Sequence, residues 1–575
     1  MNEGNSLYIR KLKDVRLKMK TDPKNSGVKG KIFAGIISLI IMAVLYWVSL
    51  PALNLRSPEF WVFVIESLIV VTVAYSINGI KDAFVHAQTS EHTVEIGGNK
   101  VNLPRPQMPK GKFFKVMLMI VGGIIMLMIL ASLIGSPIFN ASRYKDLIVK
   151  SEGSFTEEIS ELSMNQIPVV DRDSAVQLGQ RKLGNMSDLV SQFEIATEYY
   201  TQINYQDRPM RVTPLVYGDA FKWLNNQGKG VPAYLRLDMV NQETELVRLE
   251  QGMKYSPADI LMRDLKRHVR FQYPTKVLDD SYSFEIDEKG TPYWVVSTIK
   301  YRIGVWDGKD IGGAVLVNAI TGESKYYDIK KVPQWVDRVY RSDLIVEQLN
   351  YNGSFQNGFI NSYFGQRGVL STTEGYNYIA HNDDVYLYTG MTSVASDQSN
   401  VGFVLVNMRT KETKFYAVPG ATEISAAGSA EGKVKNYGYK STFPLLLNVA
   451  DRPTYFMSLK DNAGLVKMYA FVDVEKYQLV GTGTTVVEAR QSYIKALKDE
   501  EGVDIAQTTA TGVISEIHAV VKDGNTDYYF RLKNSVTVYI ASIKISDMLP
   551  FMKVGDTVTV SYSGNDTVRE VASFQ

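Results

Sequence analysis

Cysteine is absent from this chain of 575 residues, and histidine occurs only five times. The first absence excludes disulfides, thiolate metal centres and cysteine nucleophiles together. A large exported region without disulfides would have to rest on its core, which a domain of this size can bury. Such a region fits a bacterial envelope of the Gram-positive type, where oxidative folding is not heavily used. The histidines (His86, His92, His268, His381 and His518) show no H-E-x-x-H or other zinc spacing. A G-x-S-x-G elbow, a Walker loop and a complete G-x-G-x-x-G are missing too. Gly481-Thr482-Gly483 lacks the third glycine and reads as a turn, and Gly428 to Gly432 reads as a flexible loop between strands. No cleavable signal peptide is visible, because a long polar stretch precedes the first apolar run.

Net charge is nearly absent as well, at +2, but it is unevenly placed. Residues 1–139 carry 16 Lys/Arg against 8 Asp/Glu, and the remainder carries 47 against 53. The basic excess therefore sits beside the apolar runs, where it meets anionic lipid, and does not form a nucleic-acid footprint.

Three long apolar runs are present, all in the first quarter of the chain. Residues 32–50 and 116–139 hold no charge, and 60–80 hold one, Glu66. At 1.5 Å per residue each covers the hydrocarbon core of a bilayer. Nine Lys/Arg precede the first run, only Arg56 separates the first two, and Lys81, Lys100, Arg105, Lys110, Lys112 and Lys115 fall between the second and third. By the positive-inside rule the N-terminus (1–31) is cytoplasmic, the 81–115 loop is cytoplasmic, and everything after about Asn140 is extracytoplasmic. Tyr46, Trp47 and Trp61 stand where an aromatic belt belongs. Gly122-Gly123, Ala131/Gly135 and Ser132/Ser136 are expected to let helices approach closely, by packing within the anchor or, as the alternative, by self-association. Glu66, the one ionisable residue in a span, is a functional candidate by default, but no polar partners accompany it along the runs.

A second feature is internal repetition. The segments AYLRLDMVNQETELVRL, AVLVNAITGESKYYDI and GFVLVNMRTKETKFYAV align Asp238/Asn318/Asn407, Asn241/Thr321/Thr410, Glu243/Glu323/Glu412 and Thr244/Ser324/Thr413. A fourth, MYAFVDVEKYQLVGT, places Asp473 first. Apolar alternation followed by Asp or Asn predicts a β-hairpin, with Gly322 supplying positive φ in the second copy. Further strands are expected at 211–215, 293–300, 385–388 and 454–459, giving three antiparallel strands per unit. Helices are expected at 174–183, from a Ser256-Pro257 start to about 270, at 336–349 and at 484–497. A Ca²⁺ role for the repeated acids is disfavoured, since one acid per short hairpin is too few ligands.

The hairpin sequence, in NAITGE from Asn318 and NMRTKE from Asn407, resembles PepSY-like units of bacterial envelope proteins. The whole region is similar to membrane-anchored proteins of Gram-positive bacteria that carry such units. The resemblance implies an envelope location and a partner-binding or inhibitory role.

From Thr508 the pattern changes to short strands, with Asp523-Gly524-Asn525 as a hairpin turn and Val554-Gly555-Asp556 opening a late strand. This predicts a five-stranded OB-like barrel over 508–575, joined through a Lys-Asp-Glu-Glu linker. Its six Lys/Arg against seven Asp/Glu do not attract phosphate. Tyr528, Tyr529, Phe530 and Tyr539 are expected mainly to fill its interior.

The expected fold is α+β: three N-terminal transmembrane helices (32–139), a helix-plus-sheet repeat region (140–500) and the terminal barrel. The expected function is a non-enzymatic, multi-pass cell-membrane protein whose extracytoplasmic modules bind or regulate an envelope or membrane protein partner. The alternatives are a wall- or protein-modifying hydrolase with a carboxylate site, and an accessory subunit of a membrane complex. No catalytic, cofactor-binding or metal residue is assigned. The nearest acid–base group, His381 with Asp383 and Asp384, is equally explained as a strand-entry turn.

Overall fold

The computed structural model describes residues 23–87, 91–96, 99–104, 112–161, 166–381, 383–393, 399–501, 508–522, 525–562 and 568–574. The basic stretch before Pro23, Arg105, Lys110 and the Asp523-Gly524 part of the hairpin turn lie outside them. The chain divides into two compact units.

The first unit holds three helices long and apolar enough to cross a membrane, with spanning stretches Ile32–Ser49, Pro58–Ser76 and Phe113–Gly135. Apolar side chains cover these helices on their outside: Leu39, Ile69 and Ile129 are all exposed. The first two helices, Pro23–Ser49 and Pro58–Ala87, are joined by a tight loop. Leu50 caps the first in the left-handed region (φ 46°) while its N–H donates to the Tyr46 carbonyl at 2.9 Å. Tyr46 meets Phe63 edge-on at 5.8 Å, and Trp61 Nε1 donates to the Leu55 carbonyl at 2.9 Å. Between the second and third helices, Glu91–Ile96 and Asn99–Pro104 pair as an antiparallel hairpin, which hydropathy alone did not reveal. Gly122 and Gly123 correct an expectation: a Cβ built at either meets nothing within 4 Å, so this pair does not pack against the other spans. Glu66 is half-buried, with no hydrogen-bond or ion-pair partner among the described residues.

Two later segments, Lys266–Leu278 and Lys300–Lys309, belong to this unit. Arg270 Nε donates to the Leu50 carbonyl at 2.9 Å, Leu53 N–H to the Pro274 carbonyl at 2.7 Å, and Asn54 Nδ2 to the Thr275 carbonyl at 2.9 Å. Arg267 lies over the Trp47 ring at 4.5 Å. The loop between the first two helices is therefore held against a segment that follows the third.

Beyond the third helix the described residues form four largely antiparallel sheets, each with a helix before it. Helix Arg172–Gly184 precedes the sheet ordered Phe193–Ile195, Arg208–Tyr217, Val231–Asp238, Thr244–Met253, with Thr201–Tyr205 also paired to the second strand. Helix Leu265–Gln272 precedes Leu278–Ile286, Pro292–Ile303, Asp307–Asn318, Ser324–Asp328. Helix Ser342–Ser354 precedes a seven-stranded sheet that Lys150–Gly153 joins in parallel beside Thr413–Tyr416. Helix Glu423–Lys433 precedes the sheet built on Leu445–Val449, Arg452–Lys460, Val466–Asp473 and Val480–Gly483. Each sheet thus has at least one strand more than the three expected.

The aligned hairpin positions form one local structure four times over. Asp238 Oδ1 accepts the N–H groups of Val240 and Asn241, Asn318 Oδ1 those of Ile320 and Thr321, Asn407 Oδ1 those of Arg409 and Thr410, and Asp473 Oδ1 those of Glu475 and Lys476, all at 2.8–3.2 Å. Asn241, Thr321 and Thr410 then accept the N–H of Glu243, Glu323 and Glu412. The next-to-last turn residue is left-handed in the first three: Gln242 (φ 64°), Gly322 (φ 77°) and Lys411 (φ 66°). Short side-chain acceptors close such turns by bonding the backbone two and three residues on.

Several expected elements shift. The helix expected from Ser256 starts only at Leu265, because Leu261 is left-handed (φ 57°) and Ser256 Oγ instead accepts the Ala258 N–H. The helix expected at 336–349 starts at Ser342, because the Glu285 carboxylate takes the Asp337 and Arg338 N–H groups (2.7 and 3.0 Å) and holds that stretch extended. Gly428 to Gly432 are helical, inside Glu423–Lys433, where Thr422 caps the N-terminus and Ala426 and Ala430 face the core. Gly481 and Gly483 lie in a strand, not a turn. A Cβ at Gly481 would come within 2.1 Å of the Tyr493 backbone nitrogen, so these glycines let helix Val486–Glu501 lie directly on the sheet. Gly481→Ala is therefore expected to destabilise this unit by about 1–2 kcal/mol, read as a lowered unfolding midpoint. The Lys-Asp-Glu-Glu linker is the last turn of the same helix.

At the C-terminal end, strand Thr508–Lys522 pairs with both Asn525–Leu532 and Thr557–Tyr562, Val538–Ser542 bridges Asn525–Leu532 and Val568–Phe574, and the last two strands pair, so the ring of pairings closes. Two short 3-10 turns, Ile543–Ile545 and Leu549–Phe551, follow the third of these strands in chain order. Phe530 and Tyr539 stack inside at 5.5 Å, while Tyr528 and Tyr529 are half-buried.

Candidate functional site

Within the second unit, segments from all four helix-and-sheet groups wall a cavity of about 810 Å³. The first group supplies Asp171, Tyr200 and Arg211, the second Tyr282 and Ser297. The third supplies Arg338, Ser342, Tyr376 and Tyr378, and the fourth Thr442, Phe443 and Lys460. A volume of this size is ordinary for a small-molecule site, and tyrosine and hydroxyl groups on the wall offer both flat apolar faces and hydrogen bonds.

Three ion pairs tie the wall together. Asp171 caps helix Arg172–Gly184 by accepting the Ser174 N–H at 3.0 Å and also pairs with Lys460 of the fourth sheet. Burial pushes the Asp171 carboxyl up, but the Lys460 and Ser174 hydrogen bonds outweigh it and hold the group below the usual carboxylate range. Arg341 pairs with Asp279 at 2.9 Å and with Asp343 at 2.7 Å.

Two other arginines have no such partner. Arg211, on strand Arg208–Tyr217, is only 7% exposed, and its one hydrogen bond is from Nη2 to Gln202 Oε1 at a long 3.4 Å. Its Nε is buried without an acceptor. Burial pulls its pKa down to about 10, and the neighbouring Arg338 and Arg172 pull in the same direction, while Tyr378 and Asp171 oppose them. The group stays charged at neutral pH. Arg338 stacks on the Tyr378 ring at 4.1 Å and donates from Nη2 to Tyr378 Oη at 2.8 Å and Ser342 Oγ at 3.3 Å, but its Nε too is buried without an acceptor. Ser342 Oγ and Tyr378 Oη are themselves hydrogen-bonded.

Glu285 and Asp337 lie behind this wall, fully buried. Asp337 Oδ2 accepts the Asn204 N–H at 2.7 Å while Glu285 holds the backbone of Asp337 and Arg338. Burial raises Glu285 to about 7, and burial together with the Glu285 charge raises Asp337 well above the usual range. The two carboxyls share the task of positioning the chain that carries Arg338.

The sequence-derived acid–base trio does not assemble. Asp384 is bound bidentately by Arg409 (2.7 Å to each oxygen) and by Asn407 at 2.9 Å. Asp383 occupies a left-handed turn position (φ 61°) and accepts from Gln334 at 3.0 Å, and His381 packs edge-on against Tyr386 at 5.9 Å. Asp238 and Asp473 of the hairpin turns are likewise occupied: Oδ1 of each accepts two backbone N–H groups, and Oδ2 pairs with Arg208 or Arg452. Arg211 and Arg338 were not singled out from sequence. The one local signal for Arg211 was a cation inside an otherwise apolar strand, RVTPLV.

The chain matches no protein-family model and no curated protein sequence.

Proposed function

We propose that this is a membrane-anchored, non-enzymatic binding protein. Its four PepSY-like modules and terminal OB-like barrel face outward in the cell envelope, and they bind or regulate an envelope component through the shared cavity. The observation that carries the reading is the composition of the cavity wall: each module contributes, so an occupant bridges all four. The two carboxyls raised furthest, Glu285 and Asp337, stand behind the wall and do not line the space; the carboxylates that do are Asp171, Asp173, Glu198 and Asp343. The positive-inside charge pattern supports the outward placement, and the turn geometry repeated at Asp238, Asn318, Asn407 and Asp473 supports the modular one.

The test is site-directed photo-cross-linking on the full chain in native membranes. A benzophenone side chain in place of Tyr376, which lines the cavity, is expected to yield one discrete adduct. The same probe at exposed Gly228 is expected to yield none. Equal labelling at both positions, or none at Tyr376, contradicts the reading.

A further inference from the structure

The wall of the cavity carries five Lys/Arg (172, 211, 338, 341 and 460) against four Asp/Glu (171, 173, 198 and 343). Arg341 and Lys460 are matched by carboxylates, yet Arg211 and Arg338 have no carboxylate oxygen within 4.0 Å among the described residues. A buried guanidinium costs several kcal/mol in desolvation unless an opposite charge and good hydrogen bonds repay it. Arg211 has only a long contact to Gln202, and the fields of Tyr378 and Asp171, which favour its charge, are opposed by those of Arg338 and Arg172. Leu215, four residues along the strand and so on the same face as Arg211, is a buried apolar residue. A residue that is costly in the empty protein and structurally replaceable is explained by what it does when the cavity is filled.

Resting on the binding reading above, we infer that the cavity takes an acidic ligand, whose carboxylate or phosphate group engages Arg211 and Arg338. Planar guanidinium groups suit both oxyanions through paired, charge-assisted N–H···O bonds. Tyr378 and Ser342 position Arg338 for this through the stacked ring and the two hydroxyls. Tyr376, whose ring lies 5.6 Å from that of Tyr378, offers an adjoining aromatic face for the rest of the molecule.

The experiment uses the full chain in detergent, with inorganic phosphate and acetate each titrated against chloride at constant ionic strength, and thermal unfolding as the readout. One or both anions are expected to raise the wild-type midpoint by about 2–4 °C at saturation, and the more effective one shows which oxyanion the site prefers. Arg211→Met should abolish the rise and, without added anion, melt at or above wild type, because a costly buried charge is gone. A structural arginine would do the reverse and melt lower. Arg338→Gln keeps Arg211 and is expected to weaken the anion response about tenfold, which preserves a test if Arg211→Met does not fold. No response of wild type to either anion, or an undiminished response in the variants, overturns the inference. That outcome leaves the binding reading intact if the Tyr376 adduct still forms, whereas loss of the adduct with anion binding retained would remove the reading and keep the charge site.

Discussion

Arg270→Met is expected to lower the unfolding free energy by about 3–5 kcal/mol and to expose the loop between the first two spans to protease. Arg270 is 1% exposed and donates to the Leu50 carbonyl at 2.9 Å and to the Lys276 carbonyl. Methionine fills much of the space but leaves both carbonyls buried without a donor, each costing about 1–3 kcal/mol. Packing adds a smaller loss, since Arg267 over Trp47 and Phe271 against Tyr46 and Trp47 belong to the same helix and depend on its seat. The contrast with Arg211 is the point of interest. Both arginines are buried, but one satisfies backbone carbonyls and the other lacks a strong partner, so the same substitution should destabilise at Arg270 and not at Arg211. Thermal unfolding and limited proteolysis of the two variants, side by side, check both signs.

The second large effect concerns pH. Glu285 and Asp337 are carboxyls whose folded-state pKa values are raised, Glu285 to about 7. The folded protein therefore keeps protons that the unfolded chain has already released near pH 4. Stability from this pair is fully present below about pH 4 and is lost as the pH rises through about 7. The surrounding charges act unequally: Asp383 and Asp384 push Asp337 further up, while Arg338 favours the ionised form of Glu285 and Arg409 lies in the field of Asp337. Asp337→Asn keeps an oxygen for the Asn204 N–H and removes the like charge beside Glu285. Its unfolding midpoint should exceed that of wild type at pH 8, by an amount equivalent to about 2–4 kcal/mol, and the gap should close towards pH 4. A variant that is destabilised equally at both pH values would show that the pair carries no proton linkage.

What could be read from the residues alone was whatever local chemistry dictates. The hairpin turns were legible because Asp238, Asn318, Asn407 and Asp473 each bond the backbone two and three residues away, a relation contained within a few positions. The three apolar helices were legible because length and lack of charge are also local. The helix at Glu423–Lys433 was legible in principle, through the cap at Thr422 and the Ala426/Ala430 spacing, but its glycines masked it. The true start of helix Ser342–Ser354 was not, since Glu285, about fifty residues earlier, holds the preceding backbone. The cavity was hidden for the same reason. Arg211, Tyr282, Arg338 and Lys460 converge from four groups, and no spacing in the chain encodes that meeting. Carboxylates and histidines drew attention because they are the usual carriers of chemistry, whereas the informative residue here is an arginine distinguished only by the partner it does not have.

Location and ligand both depend on the region after Asn140 lying outside the cell, and the absence of native cysteine makes that directly measurable. Single cysteines can be placed at Gly228, which is exposed and has open space around a Cβ, and at Gln107 between the second and third spans. A membrane-impermeant maleimide applied to intact cells is expected to label Gly228→Cys at once and Gln107→Cys only after permeabilisation. Labelling of Gln107→Cys in intact cells with Gly228→Cys protected would invert the topology and contradict the account.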